Sequence, residues 1–166
     1  MHKVTVIIAA FEAAETIQRA IRSVLSEPDV AEIFVVDDAS TDGTADLARA
    51  CDDGSGRLKV VVQDKNMGPS AARNRAIRDS VSPWITILDS DDFMLPQRIS
   101  RLLAQADKYG DTATIDLIAD DMYQVDEQDI NGPRRLLLGD RLPLPMRVDF
   151  SGFVMSNISR KGRERA

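Results

Sequence analysis

The stretch WITILDSDDF, residues 84–93, changes character halfway along. Ile85 to Leu88 is a short apolar, β-branched run of the kind that forms a buried strand. Asp89, Asp91 and Asp92 then place three carboxylates within four positions. If these close the end of a strand in a parallel sheet, they lie on the rim where such sheets bind ligands, beyond the carboxyl ends of the strands. Whether they do depends on the pattern on either side.

That pattern alternates. Val4 to Ala10 (VTVIIAA) is a continuous apolar run, and Ile17, Ala20, Ile21, Val24 and Leu25 then form one helical stripe that ends before Pro28. Ile33 to Val36 predicts a second strand, ending in Asp37-Asp38. "STDGTADLARA" reads as a turn and helix start, with Ser40, Thr41 and Asp42 as cap candidates. Leu58 to Val62 predicts a third strand, and "NMGPSAARNRAIRDS" a Gly-Pro turn into a helix. After the fourth strand, Pro96 opens a helix with Ile99, Leu102, Leu103 and Ala106 inward, and Ile115 to Ala119 predicts a fifth strand. Strand and helix in alternation predict an α/β fold: a mostly parallel sheet with helices on both faces. Asp37-Asp38 and the acids of "LDSDD" then share one rim, and Asp89 and Asp91 point to the same side if the strand continues that far.

Past Asn131-Gly132 the pattern changes. Pro133, Pro143 and Pro145 interrupt it, and Leu136 to Leu138 reads as a short antiparallel strand. The polar, basic end "SRKGRERA" does not read as a finished element. The expectation is an α/β domain over residues 1–130 and, over 131–166, the start of a second region that stops early.

Composition narrows the function. The chain has 166 residues, 43% hydrophobic and 29% charged, with a net charge of -6. Acids outnumber bases and no basic face is evident, which argues against nucleic acid as a partner. Cys51 is alone, so no internal disulfide forms and a reducing compartment, the cytoplasm, is expected. His2 is the sole histidine, which excludes a Ser-His-Asp triad or a His-based metal site. The first apolar run meets Glu12 too soon for a signal peptide, and no run approaches the ~20 apolar residues of a membrane span.

Acids on a strand-end rim have two explanations. One is helix capping and solvated turns, which aspartate favours. The other is a divalent cation: Mg²⁺ or Mn²⁺ takes oxygen ligands, often one or two carboxylates completed by substrate phosphates.

Four blocks in order, "VTVIIAAF", "IFVVDDASTDGT", "NMGPSAARNRAI" and "ITILDSDDFMLP", resemble the nucleotide-binding half of family-2 glycosyltransferases of the GT-A fold. The resemblance covers Val4 to Pro96. It implies transfer of a sugar from a nucleotide diphosphate sugar, a UDP-sugar, to a glycan or lipid-linked acceptor, with inversion and with Mn²⁺ or Mg²⁺, in exopolysaccharide or surface-glycan synthesis. It also implies peripheral association of the full-length protein with the inner face of the membrane. The implied nucleotide-sugar contacts are Ala9, Phe11, Asp37, Asp38, Arg73, Asp89 and Ser90, and the implied metal ligand is Asp91. Within that set, Phe11 stacks on the base, Asp38 accepts from a base N–H with Asp37 in support or at the ribose, Arg73 lies near the base or diphosphate, and Asp92 supports the turn. The chain departs from the family in reading Ala9-Ala10-Phe11-Glu12, where proline after the strand and asparagine after the aromatic are common. No match to the family's downstream acidic motif, which supplies the catalytic base, is found; Asp120, Asp121 and Asp149 come too early, and Glu164 lacks the apolar setting. A non-catalytic nucleotide-sugar-binding module is the alternative. A haloacid-dehalogenase-like phosphatase fits less well, since its Asp-x-Asp follows the first strand.

Overall fold

A computed structural model describes residues 3–108, 123–125, 129, 131–132 and 135–136. They belong to two compact units, residues 1–108 and 109–166. In the first, four strands form one parallel sheet: β1 (Val4–Ala10), β2 (Val30–Asp37), β3 (Leu58–Val62) and β4 (Trp84–Asp89), in the order β3-β2-β1-β4. The helices between them are α1 (Ile17–Leu25), α2 (Thr44–Arg49) and α3 (Pro69–Asp79), and α4 (Arg98–Lys108) follows β4.

The helices cover both faces, as the alternation predicts. Ile17, Ala20, Ile21 and Val24 of α1, Ala48 of α2, and Ile99 and Leu103 of α4 share one core with Val6, Ile8, Ile33 and Val35 of the sheet. The opposite core is thinner. There α3 contributes only Ala72 and Ala76, packed over Ile7, Phe34 and Val36. Two alanines four residues apart let α3 pack on the sheet without a wider apolar stripe, and Arg75 and Arg78 stay exposed. At the far side of the sheet β4 pairs only with β1 among the described residues, and Ile85 and Ile87 stay exposed.

Three details differ from expectation. β2 begins at Val30, three residues early, because Val30 pairs with Val4 at the start of β1. Helix α2 is capped by Gly43 at φ 90°, with no side-chain cap bond, although Asp42 does accept from Thr44 N at 2.9 Å. Helix α4 starts at Arg98 rather than Pro96: Gln97 sits at φ 64°, outside helical backbone, and Leu102 is only half-buried while Ala106 is fully inward.

The N-terminal rim carries a buried carboxylate, Glu32. Glu32 on β2 accepts from Thr5 Oγ1 (2.8 Å), Lys59 Nζ (2.5 Å) and Val81 N (3.0 Å). It thereby ties the entry of β4 to the centre of the sheet. In the second unit, β5 (Tyr123–Gln124) pairs antiparallel with β6 (Arg135–Leu136), which overlaps the short strand expected from Leu136. The strand expected at 115–119, and Asp120, Asp121, Asp149 and Glu164, lie outside the described residues. No described helix is long and apolar enough to cross a membrane.

Candidate functional site

The register of the sheet brings both acid clusters to one rim. Ala9 lies opposite Asp89, and Ala10 opposite Asp37. The chain winds from β1 outward to β2 and β3, then returns to the other side of β1 as β4. That reversal falls between Ala9 and Asp89, the place where doubly wound sheets open a ligand crevice.

The two acids after β2 are turned inward. Asp37 and Asp38 are 1% and 2% exposed. Asp37 accepts from the Ser40 backbone N–H (3.3 Å) and hydroxyl. Asp38 accepts from Gln63 Nε2 (2.5 Å), Met67 N (2.8 Å) and Gly68 N (2.6 Å). Its carboxylate therefore holds the loop that leads into α3. Gly68, at φ 86° and ψ 162°, occupies backbone space that only glycine enters readily, and this conformation presents its N–H to Asp38.

The loop after β1 is fastened to the loop after β2. Glu12 lies at φ 49°, a left-handed position that suits asparagine and costs a glutamate about 1 kcal/mol. Neighbours hold it there. Its N–H donates to Ser40 Oγ (2.9 Å), and its Oε1 accepts from Thr41 N (2.8 Å) and Oγ1 (3.1 Å). Ala13 N donates to Thr44 Oγ1 and Ala14 N to Asp42 Oδ2. The departure from asparagine at this position is thus accommodated by a second attachment to Thr41.

The acids after β4 separate. The strand ends at Asp89, and Asp92 N donates to Asp89 O at 3.1 Å, closing a turn. The expectation that Asp89 and Asp91 share one side required the strand to continue, and it does not. Asp89 instead pairs with Arg73 Nη2 at 2.7 Å. Asp91 and Ser90, with Asp42 and residues 11–16, line an open cavity of about 480 Å³. Phe11, half-exposed, is on that wall; Ala9, Asp37, Asp38, Arg73 and Asp89 are outside it. Asp42, expected only as a cap, is a wall residue as well; its side chain reaches across to the first loop, a contact no local pattern announces. Burial, followed by the charges of Asp91 and then Asp89, raises the Asp92 carboxyl above its ordinary value, against the opposing pull of Arg19. The turn is a focus of negative potential.

Among the described residues no three carboxylates, histidines or cysteines converge as a metal cage. Asp91 is one of four exposed carboxylates on the cavity wall, with Glu12, Glu15 and Asp42; Glu12 and Asp42 are engaged with the neighbouring loop. That donor set fits a hard cation whose remaining ligands come from a phosphate and water, and does not fit one held by protein alone.

A parallel sheet whose strand order reverses at an acid-bearing rim, with Asp-x-Asp in the loop after β4, defines an α/β domain of the GT-A type. The chain belongs to glycosyl transferase family 2, whose family model, "Glycosyl transferase family 2", matches residues 5–153. It is 48% identical over 164 residues to "Succinoglycan biosynthesis protein ExoU" of Rhizobium meliloti (strain 1021), covering 98% of this chain and 45% of that protein. It is 36% identical over 156 residues to "Succinoglycan biosynthesis protein ExoO" of the same strain, covering 93% and 42%. Among solved structures it resembles S. aureus TarS 1-349 in complex with UDP, with a TM-score of 0.59 and 26% identity over 64% of this chain and 32% of that one. The chain thus spans less than half the length of these relatives. The family is one of glycosyltransferase enzymes, which overturns the phosphatase alternative.

Proposed function

We propose that this chain binds the donor of a glycosyltransferase that moves a sugar from a UDP-sugar to a glycan or lipid-linked acceptor, with inversion, in exopolysaccharide biosynthesis. The observation that carries this reading is the cavity at the sheet reversal, where an exposed aromatic, Phe11, and an exposed carboxylate, Asp91, stand on one wall. A flat apolar ring offers a face to a nucleobase. A carboxylate there offers a hard cation a first ligand and leaves most of its shell to a diphosphate and water. The succinoglycan relatives and the UDP complex of TarS support the same reading.

In this reading Phe11 stacks on the uracil and Ala9 borders the crevice without a bulky side chain. Arg73 is drawn toward the rim by Asp89, from where its guanidinium faces the diphosphate. Ser90 offers a hydroxyl beside the sugar, and Asp37 steadies the loop at Ser40 near the ribose. Asp38 has about four lone-pair sites, of which three face protein donors, and the last accepts the uracil N3–H. Asp91 would hold Mn²⁺ or Mg²⁺, which when bound offsets the charge that develops on the leaving diphosphate. We place the donor domain in residues 1–130 and the beginning of the acceptor side in 131–166, with the protein acting in the cytoplasm at the inner face of the membrane.

Cytosine carries an acceptor at N3 where uracil carries a donor, and a buried polar atom left facing its like costs ~1–3 kcal/mol. UDP is therefore expected to bind at least about fivefold more tightly than CDP. Calorimetric titration of both nucleotides in Mn²⁺ measures the ratio. Equal affinities would reject the uridine assignment.

A further inference from the structure

Arg19, Ser23 and Glu27 recur every four residues along α1 and the turn that continues it. Each meets the main chain of the segment that follows β4. Arg19 Nη2 donates to the carbonyl of Asp91 at 2.6 Å. Ser23 Oγ accepts from Met94 N at 3.0 Å. The Glu27 carboxylate, itself 1% exposed, accepts from Gln97 N at 2.5 Å and Ile99 N at 3.0 Å. Asp29 extends the series by accepting from Ser100 Oγ at 2.6 Å. Four helical residues rise about 6 Å, while the opposing segment advances three, from 91 to 94 to 97. Helix and segment therefore run in the same direction in a fixed register. Within residues 89–98 only two main-chain bonds are internal, Asp92 N to Asp89 O and Arg98 N to Leu95 O. The segment takes its position from α1 more than from itself.

Arg19 is the rung nearest the cavity, yet it is not part of the wall. Its guanidinium lies 5.7 Å from the centre of the Phe93 ring. Its Nε is buried and has no partner among the described residues. A buried N–H without a partner is unfavourable, so the side chain is held there by its Nη2 bond to Asp91 and by the Phe93 ring against the cost of Nε. What it achieves there is its grip on the backbone of Asp91.

We propose that Arg19 is a positioning residue for Asp91, whose carbonyl it grips so that the carboxylate stands where the cation of the donor diphosphate binds. This rests on the reading of Asp91 as a ligand of that cation. A neutral side chain at position 19 leaves the Asp91 carboxylate in place chemically but lets it wander, and a ligand that must be ordered on binding binds less well.

The test uses the chain of residues 1–166 and four variants: Arg19→Met, Arg19→Lys, Ser23→Ala and Asp91→Asn. UDP is titrated calorimetrically in Mn²⁺ and in chelator, below the melting temperature of every variant, and the ratio of affinities is read. Arg19→Met is expected to lose about tenfold of the Mn²⁺ enhancement, with its affinity in chelator unchanged. Arg19→Lys, which keeps a donor and the charge, is expected to recover part of it. A folded Arg19→Met with the wild-type ratio overturns the proposal, even if its melting temperature falls. Should Arg19→Met not fold, Ser23→Ala decides: a loss of about threefold supports the positioning ladder and an unchanged ratio overturns it. Asp91→Asn separates the two levels. If it keeps the enhancement, the ligand reading fails and the positioning role fails with it. If it loses the enhancement while the folded Arg19 variants keep theirs, only the positioning role fails.

Discussion

Asp38→Ala is expected to lower folding stability by about 3 kcal/mol. The carboxylate is buried and takes hydrogen bonds from Gln63, Met67 N and Gly68 N. Hydrogen bonds to a charged group are each worth ~1.5–3 kcal/mol, and the freed loop N–H groups recover part of that from water. The loop also sets Gly68 in its unusual backbone conformation at the start of α3, so its release loosens the helix that bears Arg73. Urea unfolding of the two proteins measures the difference. A loss below about 0.5 kcal/mol, the size of an ordinary surface change, would mean that Asp38 does not hold the loop.

The second large effect concerns Glu32 and acid. Burial alone would push this carboxyl up. The hydrogen bonds from Lys59, Val81 N and Thr5, with the charge of Lys59, outweigh that and hold it near about 2 instead of 4.5. A carboxyl lowered on folding stabilises the chain above its unfolded value, and that contribution is lost as pH falls through the folded value. The window is therefore pH 4.5 down to 2, and the contribution at neutral pH is about 3 kcal/mol. Glu32→Gln, which cannot ionise, is expected to be less stable at pH 7 by about that amount and to lose less stability between pH 5 and pH 3. Denaturant titrations at these pH values compare the slopes. Parallel pH profiles for the two proteins would contradict the role of Glu32 in joining β2, β3 and the entry of β4.

β1 and β2 were legible because each is a nearly continuous apolar run, and parallel strands covered on both sides need no alternation. The single stripe of α1 was legible for the complementary reason, that its apolar residues face one core while Gln18, Arg19 and Ser23 stay off it. What the pattern could not reveal was settled by partners distant in the chain. Gln97 ends the approach to α4 in a left-handed turn because Glu27, seventy residues earlier, receives its N–H. The shared side expected for Asp89 and Asp91 failed because the strand stops one residue before Ser90, where Asp92 N turns back to Asp89. The inward orientation of Asp38 depends on donors from residues 63–68. A motif identifies which acids matter, but their direction is set by loops whose bonding no local window contains.

In the proposed function, Asp91 and the donor diphosphate hold one cation between them. Mn²⁺ titrated into the chain with and without UDP, with free Mn²⁺ followed by its electron paramagnetic resonance signal, tests this most directly. A single carboxylate makes an incomplete shell, so Mn²⁺ is expected to bind weakly alone and far more tightly with UDP. The enhancement must equal the factor by which Mn²⁺ tightens UDP, since the coupling is reciprocal. Asp91→Asn should abolish it and leave the fold intact. Mn²⁺ affinity indifferent to UDP, or an enhancement that survives Asp91→Asn, would contradict the account.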